Sequence, residues 1–547
     1  MDNSYGQWSH PYKPEPEFSK RVAYFSMEFG IDQGLKIYSG GLGFLAGSHM
    51  RSAHLLKQNI IGIGILWKYG YYDQGRKKDR SMEARWIEKN YSFLEDTGIE
   101  VSIRVHNNSA VKVKAYVLRP EIFNTAPIYL LSTDVEGNDY LARSISHTLY
   151  DNHENTRIAQ NILLGIGGAK VVQALGGADI YHLNEGHGLP AFYYLKNNGV
   201  KKSQFVFTTH TPEKGGNAER NGTYLNEFGF FGKQLSEKEL SQETVQGGVL
   251  SYTVAALRNA IRANAVSKLH AKVATNMWKN YKGVSKIIPI TNSQDRVYWQ
   301  DNGMAKAWEK RDARAFRKAK NIWKQRLCQE VLDQTGKLFR PDVLTLVWAR
   351  RFAAYKRADL LLRDWERFQK LIHNQKYPVQ IIWAGKPYPL DQYGIDIFDH
   401  LARTTKYQPN LALLTGYELS LSKLLKSGSD IWLNTPRITR EASGTSGMTA
   451  AMNGSVNLSV NDGWVPEFAK HGLNSFIFPE VSHHLPLEEQ DDIDSQNLYR
   501  LLEEEVLPIF YEDPSQWDQI VFNAIDDVLP EFDSQRMARE YYEKLYK

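Results

Sequence analysis

A single cysteine, Cys328, stands in 547 residues, so the chain forms no disulfide within itself, and a reducing compartment suits it. Long apolar runs are also missing. Residues 60–67 are too few, and 162–174 are interrupted by glycines and Lys170, against the roughly 20 apolar residues that a membrane span needs. Charge of one sign is scarce too. With 67 Lys and Arg against 62 Asp and Glu the excess is +5, which supplies no general attraction for nucleic acid or a membrane surface. Arg76-Lys77-Lys78 and the basic stretch 310–324 read as solvated faces. Residues 1–18 lack the basic start and apolar stretch of a secretory signal, so a cytoplasmic location is expected. No group of residues has metal-ligand spacing.

What is present is an ordinary globular composition, 42% apolar and 24% charged, in a chain long enough for two large domains. Short β-branched or aromatic runs at 22–25, 60–66, 101–105, 111–118, 128–131, 180–183 and 205–208 read as strands, with a longer helical pattern at 155–175. The second half repeats the alternation at 344–349, 379–384, 411–414, 431–433 and 457–460, as in a parallel sheet. Between the halves Trp308, Phe316, Trp323, Leu327 and Val331 recur on a charged background, and the spacing predicts one amphipathic helix over 305–333. Terminal helices are expected at 497–506 and 536–546. The class is therefore α/β, with two sheets in tandem whose ligands bind beyond the carboxyl ends of the strands, in a cleft between the domains.

Five segments carry candidate chemistry. Gly40-Gly41-Leu42-Gly43 follows a strand pattern and leads into a helical one, where backbone amides can approach an anion. The segment 346–359, LVWARRFAAYKRAD, sets Arg350, Arg351, Lys356 and Arg357 at the end of a buried strand, cations suited to phosphate. In 432–454, WLNTPRITREASGTSGMTAAMNG, Glu441 stands beside the small residues Ser443-Gly444-Thr445-Ser446-Gly447; a carboxylate there can fix sugar hydroxyls. Asn184-Glu185-Gly186-His187 and Thr209-His210-Thr211-Pro212 each end a strand, and their polar groups point to the same cleft.

Taken together these blocks resemble the α-glucan (glycogen and maltodextrin) phosphorylases, in particular the short bacterial and archaeal type. The resemblance runs from residue 22 to about 479 through YFSMEFGI, YSGGLGFLAG, TRIAQNILLGIGG, YHLNEGHG, FTTHTP, RANAVSKLH, RRFAAYKRADLLL, WAGKPYP and GSDIWLNTPRITREASGTSGM. It implies two facing Rossmann-like domains of the GT-B glycosyltransferase type, with the active site in the interdomain cleft. On that scheme 1–305 is the amino-terminal domain with acceptor and sugar contacts, and 306–340 a connecting helix. Residues 341–510 then form the donor and phosphate domain, and 511–547 the helices packing near the join. The resemblance places His210 and Asn292 at a donor sugar's 6-hydroxyl, and Glu441, Ser443 and Gly444 at its 3- and 4-hydroxyls. Arg351 and Lys356 fall at the phosphate, and Gly41 and Leu42 where backbone meets sugar and phosphate. Tyr355, Thr445 and Gly447 also fit, Thr445 at a cofactor-phosphate position. The implied catalytic set is His210, Arg351, Lys356 and Glu441, with Glu185 and His187 among the substrate contacts.

One departure changes the chemistry. Where the family carries the lysine that forms an imine with pyridoxal phosphate, this chain has Thr449, and a hydroxyl forms no imine. Ser48 stands for a usual Asp, and Asn292-Ser293-Gln294-Asp295 for an Asn-Gly turn. Nucleotide-sugar enzymes of the same fold also use an Arg and a Lys five residues apart, as Arg351 and Lys356 are, but their second carboxylate eight residues after Glu441 is again Thr449. The leading expectation is a retaining hexosyltransferase that uses a nucleotide sugar or other activated, phosphate-bearing donor and an α-glucan or oligosaccharide, with no covalent pyridoxal phosphate. Alternatives are a phosphorylase with non-covalent pyridoxal phosphate and a silent glucan-binding or regulatory homologue. The sequence is compatible with a homo-oligomer.

Overall fold

β-Branched runs bounded by turns pair into two large sheets, beside two two-stranded pairs, in the computed structural model, which describes residues 8, 10–106, 109–213 and 216–547. The expectation for the amino terminus, which concerns residues 1–18, therefore falls in part outside the described residues. In chain order the strands are β1 (Val22–Phe25), β2 (Ile60–Ile65), β3 (Asp73–Arg76), β4 (Met82–Arg85), β5 (Glu95–Val105), β6 (Ser109–Leu118), β7 (Ile128–Ser132), β8 (Ile180–Asn184), β9 (Phe205–Thr209), β10 (Glu219–Asn221), β11 (Val249–Ser251), β12 (Arg262–Ala265) and β13 (Ile287–Pro289). The second half adds β14 (Leu344–Ala349), β15 (Val379–Ala384), β16 (Leu411–Leu414), β17 (Ile431–Asn434), β18 (Val456–Ser459) and β19 (Ser475–Ile477).

The nine-stranded sheet has the order β13-β12-β9-β8-β1-β2-β7-β6-β5, antiparallel only from β7 outward. The six-stranded sheet, β16-β15-β14-β17-β18-β19, is parallel throughout. Every residue of β14 and β15 is buried, which is why both read as mostly apolar runs without polar alternation, each interrupted once, by Thr345 and by Gln380. The class is α/β, as expected. In each sheet the winding reverses once: β1 has β2 on one side and β8 on the other, and β14 has β15 and β17. Loops on the two sides of such a reversal diverge and leave a crevice at the strands' carboxyl ends.

The chain separates into two compact units. One holds 1–72, 86–292 and 534–547; the other holds 73–85 and 293–533. The β3–β4 hairpin therefore belongs with the second unit, where Gln74 Nε2 donates to Gly385 O at 2.9 Å and Gly416 N–H donates to Gln74 Oε1 at 3.1 Å.

The single helix predicted over 305–333 is two helices, Asn302–Glu309 and Ala313–Thr335. Arg311 takes a left-handed backbone (φ 54°) and Asp312 caps the second helix by accepting from Ala315 N–H, so the break is a capped start. Nor is its basic face wholly solvated. Lys320 and Lys324 share the buried stripe with Phe316, Leu327 and Val331. They are tolerated because each has partners: Lys324 Nζ meets Asp430 at 2.5 Å and Val343 O at 3.0 Å, and Lys320 Nζ meets Asn453 O at 2.9 Å. Burial still lowers Lys320 to a pKa of about 7.

Candidate functional site

In the first unit the reversal between β1 and β8 sets the β1 loop beside the end of β8, where Asn184 Nδ2 donates to Ser26 Oγ at 3.2 Å. Glu28 organises this loop. Its Oε2 accepts the N–H groups of Ser39 (2.6 Å) and Gly40 (3.1 Å), and its Oε1 accepts Tyr150 Oη–H at 2.7 Å. The helix Gly41–Leu55 begins inside the glycine run, with Gly40 as its N-cap, so the amides of Gly41 and Leu42 belong to a first turn that has no intrahelical acceptors. Such amides suit a phosphate or a sugar oxygen.

At the end of β8, Glu185 has a left-handed φ of 73°, a conformation that a non-glycine residue holds only when its surroundings impose it. Here they do: its carboxylate accepts from His210 N–H (2.8 Å), Thr211 Oγ1–H (3.2 Å) and Gly186 N–H (3.1 Å). Burial raises its pKa, against those three donors. His210 Nε2 pairs with Asn184 Oδ1 at 2.6 Å. Burial, with His270 and His187 nearby, takes His210 down to about 3, so it works as a neutral imidazole. His187, lowered to about 4 chiefly by burial, keeps Nδ1 buried and without a protein partner, as does Asn292 Oδ1. Buried polar atoms left in this way are cheap only if a ligand or water completes them. The structure thus brings Asn184, Glu185 and His210 together; no hydrogen bond among the described residues links Asn292 to them.

In the second unit the loops after β14 and β17 flank the other reversal. Glu441 meets Arg350 Nη1 at 3.2 Å and Lys356 Nζ at 3.3 Å, all three well buried. Burial alone would push the Glu441 carboxyl up, yet Lys356 and Arg350 outweigh it and hold the group below the usual range, so it stays ionised. Lys356 moves the other way. Burial lowers it to about 8, with Glu441 opposing. Arg350 also donates to Asn434 Oδ1. Arg351 is exposed, and it lies close enough to Tyr355 to favour the ionised hydroxyl, against the burial that raises the Tyr355 pKa. Ser443 Oγ is buried without a protein partner, and Gly444 takes φ +83° with Glu441 Cγ close by. Thr445 directly precedes the helix Ser446–Ala451, without a side-chain capping bond, and that helix contains Gly447 and Thr449.

This geometry brings Arg351, Tyr355, Lys356, Glu441, Ser443 and Gly444 into one cluster. Thr449 lies outside it, wholly buried, its hydroxyl donating to Ser446 O at 3.0 Å. No lysine occurs between Thr439 and Phe468. A threonine hydroxyl cannot condense with an aldehyde, so this segment does not fit a covalently held pyridoxal phosphate.

A sequence profile described as carbohydrate phosphorylase matches residues 302–501, the part of the second unit that carries this cluster. The chain is 32% identical over 613 residues to the maltodextrin phosphorylase of Thermococcus litoralis, covering 99% of this chain and 73% of that one. The chain belongs to the carbohydrate phosphorylase family. It is also 30% identical to the glycogen phosphorylase of Mycobacterium tuberculosis, over 96% of this chain and 70% of that one. An uncharacterized protein of Methanocaldococcus jannaschii is 46% identical over 536 residues, 96% of this chain and 100% of its own. Membership makes the chain a hexosyltransferase of the phosphorylase type, an enzyme of carbohydrate metabolism. Among the described residues no helix is long and apolar enough to cross a membrane, and no group of three His, Cys, Asp or Glu is placed to hold a metal ion.

The sequence singles out most of these residues but not Glu28, Tyr150, Asn434 or Asp462, whose Oδ2 accepts Glu441 N–H at 2.8 Å. Glu28 was inside a quoted block, YFSMEFGI, without a role, because nothing local links it to Tyr150, 122 residues on. Asp462 carried no signal at all.

Proposed function

We propose that this phosphorylase-family enzyme transfers a hexosyl residue, with retention, between an α-glucan or related saccharide and a donor activated by phosphate. The observation that carries the reading is the buried Glu441–Lys356–Arg350 cluster with Arg351 at its rim. An ionised Glu441 accepts hydrogen bonds from donor hydroxyls, and Ser443 Oγ, buried and unpartnered, serves a neighbouring one. Arg351 and Lys356 bind the donor phosphate and neutralise the charge that grows on it as the glycosidic bond breaks. Neutral His210, oriented by Asn184, orients the 6-hydroxyl together with Asn292. The reading includes the two domains facing each other across the active site, as the family resemblance implies, and it keeps the cytoplasmic location expected from the sequence.

The threonine at 449 favours a nucleotide sugar, whose second phosphate would use space that the family gives to its cofactor. A second reading, phosphorolysis with pyridoxal phosphate held non-covalently near Thr445 and Gly447, is favoured by the similarity to maltodextrin and glycogen phosphorylases. When bound, that group would supply a phosphate for acid–base and electrostatic support.

Thermal-shift titration with glucose 1-phosphate and nucleotide sugars side by side separates the two donors. In the same assay Arg351→Ala should weaken the phosphate-bearing donor by ~10-fold or more, the worth of a lost charge-assisted hydrogen bond, and leave neutral maltooligosaccharide nearly unchanged. Equal donor affinity in wild type and variant refutes the assignment.

A further inference from the structure

After β18 the chain turns through 460–464, and this turn is stapled to the loop that carries Glu441 and Ser443. Asp462 Oδ2 accepts Glu441 N–H at 2.8 Å, and Trp464 N–H donates to Ser443 O at 3.0 Å. The two segments touch at Gly463, where φ is +63° and an added Cβ would lie 2.4 Å from Ser443 O, so no larger residue fits. Residues 441 and 443 are thereby held from the same turn, with only Ala442 between them.

We propose that Asp462 is a positioning residue for the 441–444 loop, aiming the Glu441 carboxylate and the Ser443 hydroxyl at the hydroxyls of a hexosyl ligand. Asp462 is 2% exposed, and its second oxygen, Oδ1, is buried without a protein partner. Burial, with Glu441 beside it, raises its pKa to about 7. The residue thus holds Glu441 by its backbone while Lys356 and Arg350 hold it by its side chain. Releasing the backbone end lets Glu441 follow its two cations away from Ser443.

The hexosyl ligand in this proposal rests on the function proposed above; the staple does not. Asp462→Ala, Asp462→Asn and Gly463→Ala are compared in the full chain. Amide hydrogen exchange across 441–443 should quicken by ~10-fold or more in Asp462→Ala and Gly463→Ala and stay near wild type in Asp462→Asn, whose side-chain oxygen still accepts Glu441 N–H. Affinity for glucose 1-phosphate should fall ~10-fold in Asp462→Ala, that for inorganic phosphate less than ~2-fold, and Asp462→Asn should recover the sugar phosphate. Unchanged exchange in both Asp462→Ala and Gly463→Ala overturns the proposal. So does an equal loss for both probes. Should Asp462→Ala not fold, Gly463→Ala and Asp462→Asn decide by the same readings. If the wild-type chain binds neither probe, the affinity comparison is made with the nucleotide sugars of the donor titration; a chain that binds none of these donors defeats the functional reading, and exchange alone then decides the positioning.

Discussion

At the scale of single residues, the cluster's behaviour follows from how few carboxylates face its cations. Lys356 is largely buried with a pKa lowered to about 8, so its charge is present at neutral pH and lost as pH rises through that value. Phosphate needs the charged form. Binding of a phosphate-bearing donor, followed calorimetrically, should therefore weaken between about pH 7.5 and 9, and Lys356→Arg, whose guanidinium stays charged, should flatten the profile. A pH-independent affinity would remove Lys356 from the phosphate. For stability the sign is opposite. The folded chain binds fewer protons at Lys356 than the unfolded chain between about 8 and 10.5, so this group makes folding more favourable as pH rises through that window. Thr449 carries a second expectation. Borohydride treatment of the protein with pyridoxal phosphate should trap no stoichiometric adduct, and peptide mass spectrometry mapping one to a lysine of the second unit would return the chain to covalent cofactor chemistry.

At the scale of elements, the 354–357 turn matters because Lys356 rides on it. Arg357 follows with φ 49° and fans out to Thr435 O, Pro436 O, Asp491 and Asp494, while Arg437 pairs with Asp491 and donates its N–H to Tyr355 O at 2.8 Å. Helix Leu487–Leu501 thus fastens the turn through two buried acids. Asp491→Ala leaves two guanidinium groups short of their counter-charge in the interior. It should cost about 3–5 kcal/mol, read by chemical denaturation, and lower donor affinity along with stability. A loss below about 1 kcal/mol would mean that solvent reaches these charges. The 310–312 break shows the same scale from the sequence side: Asp312 was the visible cap signal, and a regular apolar recurrence hid it.

At the scale of the molecule, the chain passes between its two units more than once, so neither unit is a continuous segment. The 73–85 hairpin lies beside the edge strand β16: Arg76 donates to Leu413 O, and Lys337 Nζ to Leu411 O at 2.7 Å. These cations occupy carbonyls that an edge strand would otherwise offer to another chain. A fragment of 293–533 alone should therefore be less soluble and less stable than the same fragment with the hairpin joined through a linker, as measured by sedimentation and thermal unfolding. Equal behaviour would show that the edge needs no cover.

Much of this was legible beforehand. The strands at 344–349, 379–384 and 411–414 are found at those residues, because a parallel strand buried on both faces is apolar over most of its length. The phosphate and hydroxyl segments were visible because short spacings keep their members on one loop. What the sequence by itself determined was thus local: element type, loop position and the chemistry each loop carries. Only the tertiary structure decided that Arg350 and not Arg351 is buried against Glu441, 91 residues away, that Lys320 and Lys324 face inward, and that Asp462 holds the Glu441 backbone. Periodicity reports what one element presents to its surroundings, whereas partners are chosen by the sheet order, which brings distant strand ends side by side.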